Sequence, residues 1–253
     1  MNISQPDAKH IPLLRALWKE AFGDTDAFLD AFFSTAFSPK RCRCVFKDHM
    51  PIAALYWFDC EYEKQPVAYL YAIATAASHR SQGLCTQLMK DTHHYLKSLG
   101  YSGALLVPGE SSLFDFYKQL GYTTTCYLQE FTCTAENQSL SPRPLSCDEY
   151  ASLRRKYLPA DSVVQEGENL AFLQAEVDFY AGEDFLLAAR ISGNRLYGVE
   201  LLGNTGIAPG LIHALNCTEG VFRTPGSAKP FAMYLPLSQD MQASPSYLGF
   251  AFD

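Results

Sequence analysis

The sequence has no apolar run near the ~20 residues that a membrane-spanning helix needs. Its longest apolar stretches are short and broken by charge, so no membrane partner is expected. Basic residues are in deficit: 20 Lys and Arg face 27 Asp and Glu, a net charge of -7, which argues against nucleic acid. The opening MNISQPDAKHIPLL lacks the basic segment and following apolar stretch of a secretory leader, so a cytoplasmic location is expected. With eight cysteines and no leader, free thiols are expected in place of disulfides. Cys42-x-Cys44 has no second closely spaced Cys/His pair to complete a zinc site, and no metal is expected.

What is present is a chain of 253 residues, 48% hydrophobic and 13% aromatic, enough for one large domain or two small ones and incompatible with general disorder. The charge is uneven. Residues 1–134 carry 12 basic and 13 acidic side chains, whereas residues 135–253 carry 8 and 14.

Apolar spacing predicts a helix over 7–22 and, after Gly23-Asp24, a second from Thr25 to Phe37. Strands follow at Arg41 to Lys47, Ile52 to Tyr62 and Val67 to Thr75. A helix then runs from about Gly83 to Leu99, and Tyr101 to Val107 is a short buried strand. A helix from Leu113 to Leu120 and a strand from Tyr122 to Cys133 complete the first half. Residues 135–146, polar and carrying two prolines, read as a linker. Beyond it, helices are expected at 148–157 and 168–180, and a hairpin at 185–202 turning at Gly193-Asn194. A helix over 209–215 and strands near 220–223, 231–237 and 247–252 follow. The order of elements repeats that of the first half, so a divergent internal duplication is expected, with domains at 1–134 and 147–253.

One stretch carries chemistry. In IATAASHRSQGLCTQLM (residues 73–89) a strand hands over to a helix through Arg80-Ser-Gln-Gly83-Leu-Cys85. A helix start presents unpaired N–H groups beside the positive end of its dipole, which suits a phosphate. Gly83 admits close approach and Arg80 adds charge. Read alone, the same residues also describe a plain connection.

Over residues 1–134 the order of elements, the Arg-x-x-Gly-x-Cys stretch and Tyr117-Lys-Gln-Leu-Gly121-Tyr122 together resemble the GNAT (Gcn5-related N-acetyltransferase) family. Its signatures are [Q/R]-x-x-G-x-[G/A] after the fourth strand and a later Tyr-x-x-x-Gly-[Phe/Tyr]. The resemblance implies an α/β fold, a mixed central sheet flanked by helices, here followed by a smaller, degenerate GNAT-like domain. It implies acetyl-CoA as co-substrate and a primary amine as acceptor; the acid surplus of residues 135–253 suits a small, cationic one, while an antibiotic, amino acid, peptide or protein lysine stays open. Backbone N–H groups of Ser81, Gln82, Gly83, Leu84, Cys85 and Thr86 would hold the pyrophosphate, with Arg80 beside them. Ile73, Ala74 and Thr75 would pair with the pantetheine arm, and Tyr117 would be the general acid. Cys85 departs from the usual Gly or Ala, and Glu110 stands where many members have asparagine. The amine needs a base, for which Glu110, Glu61 and Asp59 are candidates. Cys85 as nucleophile and His79 as a cofactor contact are further readings, while His93-His94 reads as surface. Members with an appended C-terminal domain, the Eis type, are also similar and use their terminal carboxylate as base; the equivalent here is Asp253. The second half lacks its own arginine-glycine loop and is expected not to bind CoA. A non-catalytic acyl-CoA-binding protein of the same fold is the rival reading, and the oligomeric state stays open.

Overall fold

The computed structural model describes residues 1–239, 241 and 243–252. The C-terminal carboxylate of Asp253 lies outside the described residues. In chain order the first elements are β1 (Asn2–Ser4), α1 (Ile11–Phe22), α2 (Asp26–Thr35), β2 (Cys42–Lys47), β3 (Met50–Tyr62), β4 (Gln65–Thr75), α3 (Leu84–Ser98), β5 (Gly103–Leu106) and α4 (Ser112–Gln119). There follow β6 (Thr123–Thr134), β7 (Arg143–Leu145), α5 (Cys147–Tyr157), β8 (Val164–Gln165), α6 (Glu168–Leu173), β9 (Asp178–Ala181), β10 (Phe185–Ser192), β11 (Arg195–Gly203), α7 (Ala208–Ala214), β12 (Glu219–Pro225) and β13 (Lys229–Pro236).

The chain forms two compact units. One comprises Met1–Thr123 with Met233–Ser244, the other Thr124–Ala232 with Pro245–Asp253. The expected linker over 135–146 contains strand β7, and β6, read as the last strand of the first half, lies almost wholly in the second unit.

In the first unit β1, β2, β3 and β4 pair antiparallel in that order, and β4 pairs with β5 in parallel. A parallel pair needs a crossover, which α3 supplies. The sheet closes on the far side of β5 with Met233–Pro236 of β13, antiparallel, Met233 facing Leu106. Helix α3 buries Leu84, Leu88, Met89, Thr92 and Leu96, a stripe at intervals of three and four. It packs on Leu55, Trp57, Ala68, Leu70, Ala104 and Leu106 of the sheet. In β3, Pro51 to Phe58 are all buried, so the strand reads as a continuous apolar run without alternation. Tyr56 and Phe58 join a second cluster with Trp18 of α1 and Phe32 of α2, whose rings meet at 4.6 to 6.2 Å. Thr25 caps α2 by accepting the Phe28 N–H (3.2 Å), and Gly23, at φ 76°, ends α1.

The second unit repeats the scheme. Strands β7, β9, β10 and β11 pair antiparallel in that order, β11 pairs with β12 in parallel across α7, and β12 pairs antiparallel with β6. Each unit therefore takes its closing strand from the other half of the sequence. The helix expected to reach Tyr180 stops at Leu173, because Val177, Phe179 and Ala181 alternate inward and continue as β9.

The segment 247–252, expected as a strand, makes only one isolated bridge, Ser162 to Tyr247. Side chains hold it instead. Arg154 and Glu200 are 1% and 0% exposed and form a bidentate pair, Nε to Oε2 2.7 Å and Nη2 to Oε1 2.9 Å. The hydroxyls of Tyr150 (2.8 Å) and Tyr247 (2.9 Å) donate to the same carboxylate. The guanidinium stacks over Phe250, and the Gln165 amide accepts the Phe250 N–H (3.0 Å) and donates to its carbonyl (3.1 Å). Removing one partner of such a buried pair costs about 3–5 kcal/mol, because the other charge is left uncompensated.

Candidate active site in the first unit

Strand β4 carries a bulge. Ala54 faces Ala74 and Tyr56 faces Tyr71, so Leu55 alone opposes Ala72 and Ile73, and Ala72 sits at φ 47°. The parallel pairing of β4 with β5 ends at Leu70 and Leu106, just before the bulge. Among the described residues Ile73, Ala74 and Thr75 have no β5 partner, so the two strands part beyond Leu70, which leaves room for a cleft between them. Backbone groups that face a cleft are available to an extended ligand.

Beyond Thr75 the chain makes a short 3-10 turn, Ala77–His79, and reaches α3 through two left-handed residues, Ser81 (φ 60°) and Gly83 (φ 73°). Gly83 is the N-cap of α3 and offers no side chain, so the first N–H groups of the helix have no cap. A Cβ at Gly83 would meet nothing within 4 Å. Arg80 is exposed, and its Nε donates to the Thr75 carbonyl (3.1 Å), which folds the loop back on the strand end. The Gln82 amide donates to the Ser78 carbonyl (3.5 Å). His79 lies 2.9 Å from the Ser78 hydroxyl and 3.5 Å from Lys47 Nζ.

Tyr117 is 7% exposed and packs in the same core as Leu84, Leu88 and Leu106, with Cys85 against it. Among the described residues its hydroxyl has no hydrogen-bond partner. Burial, helped by the nearby Cys85 thiol, pushes the phenol well above its ordinary value, so it keeps its proton. Burial likewise pushes the Cys85 thiol up to about 11. A thiol so firmly protonated is a poor nucleophile, which removes the ground for Cys85 as acyl carrier.

The three expected base candidates separate. Glu110 follows β5 and lies at the same sheet end as the loop, exposed, accepting from the Ser112 hydroxyl (2.7 Å). Asp59 and Glu61 face Ala68 and Pro66 on β4, five and seven residues from Ile73, or about 17 and 23 Å along a strand. Asp59 is bonded to Arg41 (3.0 Å) and to the Tyr101 hydroxyl. These two carboxylates belong to the opposite end of the sheet. His94 is a surface residue, as expected, but His93 is not: it is half-buried and bonded to Tyr122 (2.7 Å). The bulge and the His93 contact both escaped sequence reasoning.

The second unit repeats the bulge but engages the residue beyond it. Ala188 faces Glu200 and Ala189 faces Gly198, leaving Val199 extra, and pairing with β12 ends at Gly198 and Phe222. Glu200 thus occupies the register position of Ala74 and grips the protein's own tail. Its loop is also closed: the Asn204 side chain accepts the Gly206 N–H (3.0 Å), and the Glu136 N–H donates to the Pro209 carbonyl (3.1 Å). A Cβ on Gly210 would strike the Gln138 side chain at 2.6 Å. Among the described residues, no three His, Cys, Asp or Glu side chains gather as metal ligands, and no helix is long and apolar enough to cross a membrane.

The parting of β4 from β5, the uncapped start of α3 and the buried Tyr117 are the features to which the sequence motifs pointed. Residues 2–125, just under half of the chain, match the acetyltransferase (GNAT) domain model. What that domain acetylates, and with which donor, is a matter of proposal. No curated protein matches the sequence. Solved structures share the fold at low identity. A GCN5-related N-acetyltransferase from Anabaena variabilis is 11% identical, with 94% of this chain and 73% of that chain covered and a TM-score of 0.75. One from Kribbella flavida is 14% identical, with coverage of 92% and 70% and a TM-score of 0.69. Eis1 from Mycobacterium abscessus is 12% identical, with coverage of 94% and 74% and a TM-score of 0.68.

Proposed function

We propose that the first unit transfers the acetyl group of acetyl-CoA to a primary amine by direct attack on the thioester. The observation that carries this reading is the cleft: β4 parts from β5 after Leu70, and the freed strand leads directly into the uncapped start of α3. Backbone groups of Ile73, Ala74 and Thr75 pair with the pantetheine arm. The N–H groups of Ser81 to Thr86 receive the pyrophosphate, with Arg80 adding charge at the rim. Glu110, at the same sheet end, takes the proton from the incoming ammonium. Proximity of the amine and thioester supplies much of the acceleration. The acceptor is small and cationic, a reading supported by the surplus of acid in residues 135–253. The second unit, its loop capped and its Glu200 engaged with the tail, does not bind CoA.

Tyr117 is the general acid. A free thiol has a pKa of about 8.5, well below a buried phenol, and would take the proton reluctantly. The site changes that comparison. Cys85, in the same surroundings, is pushed up to about 11 by burial, and a CoA thiolate released there meets the same loss of solvent. Its basicity rises towards that of the phenol, and transfer becomes better matched.

The test is Tyr117→Phe, assayed by CoA release from acetyl-CoA across a panel of amines. Among the described residues the hydroxyl has no hydrogen-bond partner, so stability should change by less than about 1 kcal/mol. The rate constant kcat should fall by ~10²–10⁴ with acetyl-CoA affinity near wild type. Turnover within twofold of wild type would make Tyr117 a packing residue.

A further inference from the structure

Tyr122 touches Tyr117 twice. Its N–H donates to the Tyr117 carbonyl (3.1 Å), and its ring meets the Tyr117 ring edge-on, centroids 6.0 Å apart at 67°. Gly121, at φ 94°, makes the reversal between them. Tyr122 is wholly buried, and its far end is fixed by one polar contact, the hydroxyl lying 2.7 Å from His93 Nε2. Among the described residues that hydroxyl has no other polar partner. His93 belongs to α3, ten residues after Gly83. One hydrogen bond therefore joins the helix that opens at the cofactor loop to the helix end that carries the acid. Among the described residues the Tyr117 hydroxyl has no hydrogen bond of its own, so ring packing sets its direction. Phe116 (5.2 Å) and Tyr122 are its aromatic neighbours.

We propose that His93 is a positioning residue for Tyr117, acting through Tyr122 to set where the phenol meets the thioester sulfur. The proposal rests on the reading of Tyr117 as general acid. A leucine or methionine would fill the same volume without a polar partner, so packing alone does not ask for histidine here. Burial, with a smaller contribution from His94, lowers His93 to about 4. The ring is therefore neutral near pH 7, and its Nδ1-protonated tautomer leaves Nε2 free to accept from the phenol. A small misplacement of a catalytic group is costly in rate, whereas cofactor binding by backbone groups elsewhere is insensitive to it.

The experiment compares His93→Leu, His93→Gln and Tyr122→Phe in the full chain, each with and without Tyr117→Phe. It reads kcat, KM for acetyl-CoA and melting temperature. His93→Leu and Tyr122→Phe should each lower kcat about tenfold with the acetyl-CoA KM within twofold of wild type. His93→Gln, whose amide reaches the same hydroxyl, should recover most of the loss. In the Tyr117→Phe background His93→Leu should cost nothing further, because both act through one phenol. Unchanged kcat in folded His93→Leu and Tyr122→Phe, or a loss that adds in full to that of Tyr117→Phe, overturns the proposal. Should His93→Leu fail to fold, Tyr122→Phe, which keeps the ring, decides. Tyr117→Phe at wild-type rate removes the acid and the positioning role together; a slow Tyr117→Phe with a fast His93→Leu removes only the second.

Discussion

A histidine in water gives up its proton at a pKa of about 6.5, but within α3 His93 refuses it until about 4. Between those values the unfolded chain binds a proton that the folded chain does not. The stabilisation is thus complete above about pH 6.5 and is lost as pH falls towards 4. Each unit of depression corresponds to about 1.4 kcal/mol, reduced because the ring is only part-buried. Urea unfolding at pH 7.5 and pH 5 should show the wild type losing up to about 2 kcal/mol more than His93→Leu. Equal losses would mean that another group dominates acid lability. Nothing in the sequence announced this residue. Adjacent histidines on a helix point apart, and which of the two faces inward depends on Tyr122, 29 residues away. Gly83 and Tyr117 were legible because each sits in a local pattern with a fixed backbone consequence, a left-handed cap and a helix end.

The β4–α3 junction makes its own prediction. Gly83 has a left-handed φ and open space where a Cβ would stand, so Gly83→Val brings strain of roughly 1–2 kcal/mol but no clash with protein. A ligand lying on the loop would meet the new side chain. Titration calorimetry should find acetyl-CoA binding at least tenfold weaker, or about 1.4 kcal/mol, in a protein that still folds. Unchanged affinity would move the pyrophosphate elsewhere. Elements with a clear apolar signature, the unbroken run of β3 and the helical stripe of α3, were readable from the chain. The errors came where side chains took over from periodicity. Tyr247 to Phe252 has the composition of a strand, yet Arg154, Glu200 and Gln165 hold it by contacts invisible to any local window. The bulge on β4 was equally hidden, since it is a matter of register between strands.

The two units share a plan, and the repeat of helices, hairpin and crossover could be read from the order of elements. The exchange of closing strands could not, because β5 can pair with any strand that reaches it. A fragment of residues 1–134 lacks Met233–Pro236, which covers β5, and lacks β12, the partner of β6. It would expose two unpaired sheet edges, a template for association. Size-exclusion chromatography should show aggregates, and CoA release should be absent. A monomeric 1–134 fragment with wild-type turnover would show that the first unit closes without its borrowed strand.

The borrowed strand also imposes a schedule. Leu106 and Met233, facing each other across the closing pair, leave the ribosome about 130 residues apart, roughly 6–25 s at ordinary rates of synthesis. For that interval the catalytic half is made but unfinished, its β5 edge open to any passing strand, and long-range pairing of this kind is slow even once both partners exist. A lost C-terminal end, from a premature stop or a nick near β13, would remove the strand that covers β5, although the residues with proposed roles all lie between 73 and 122.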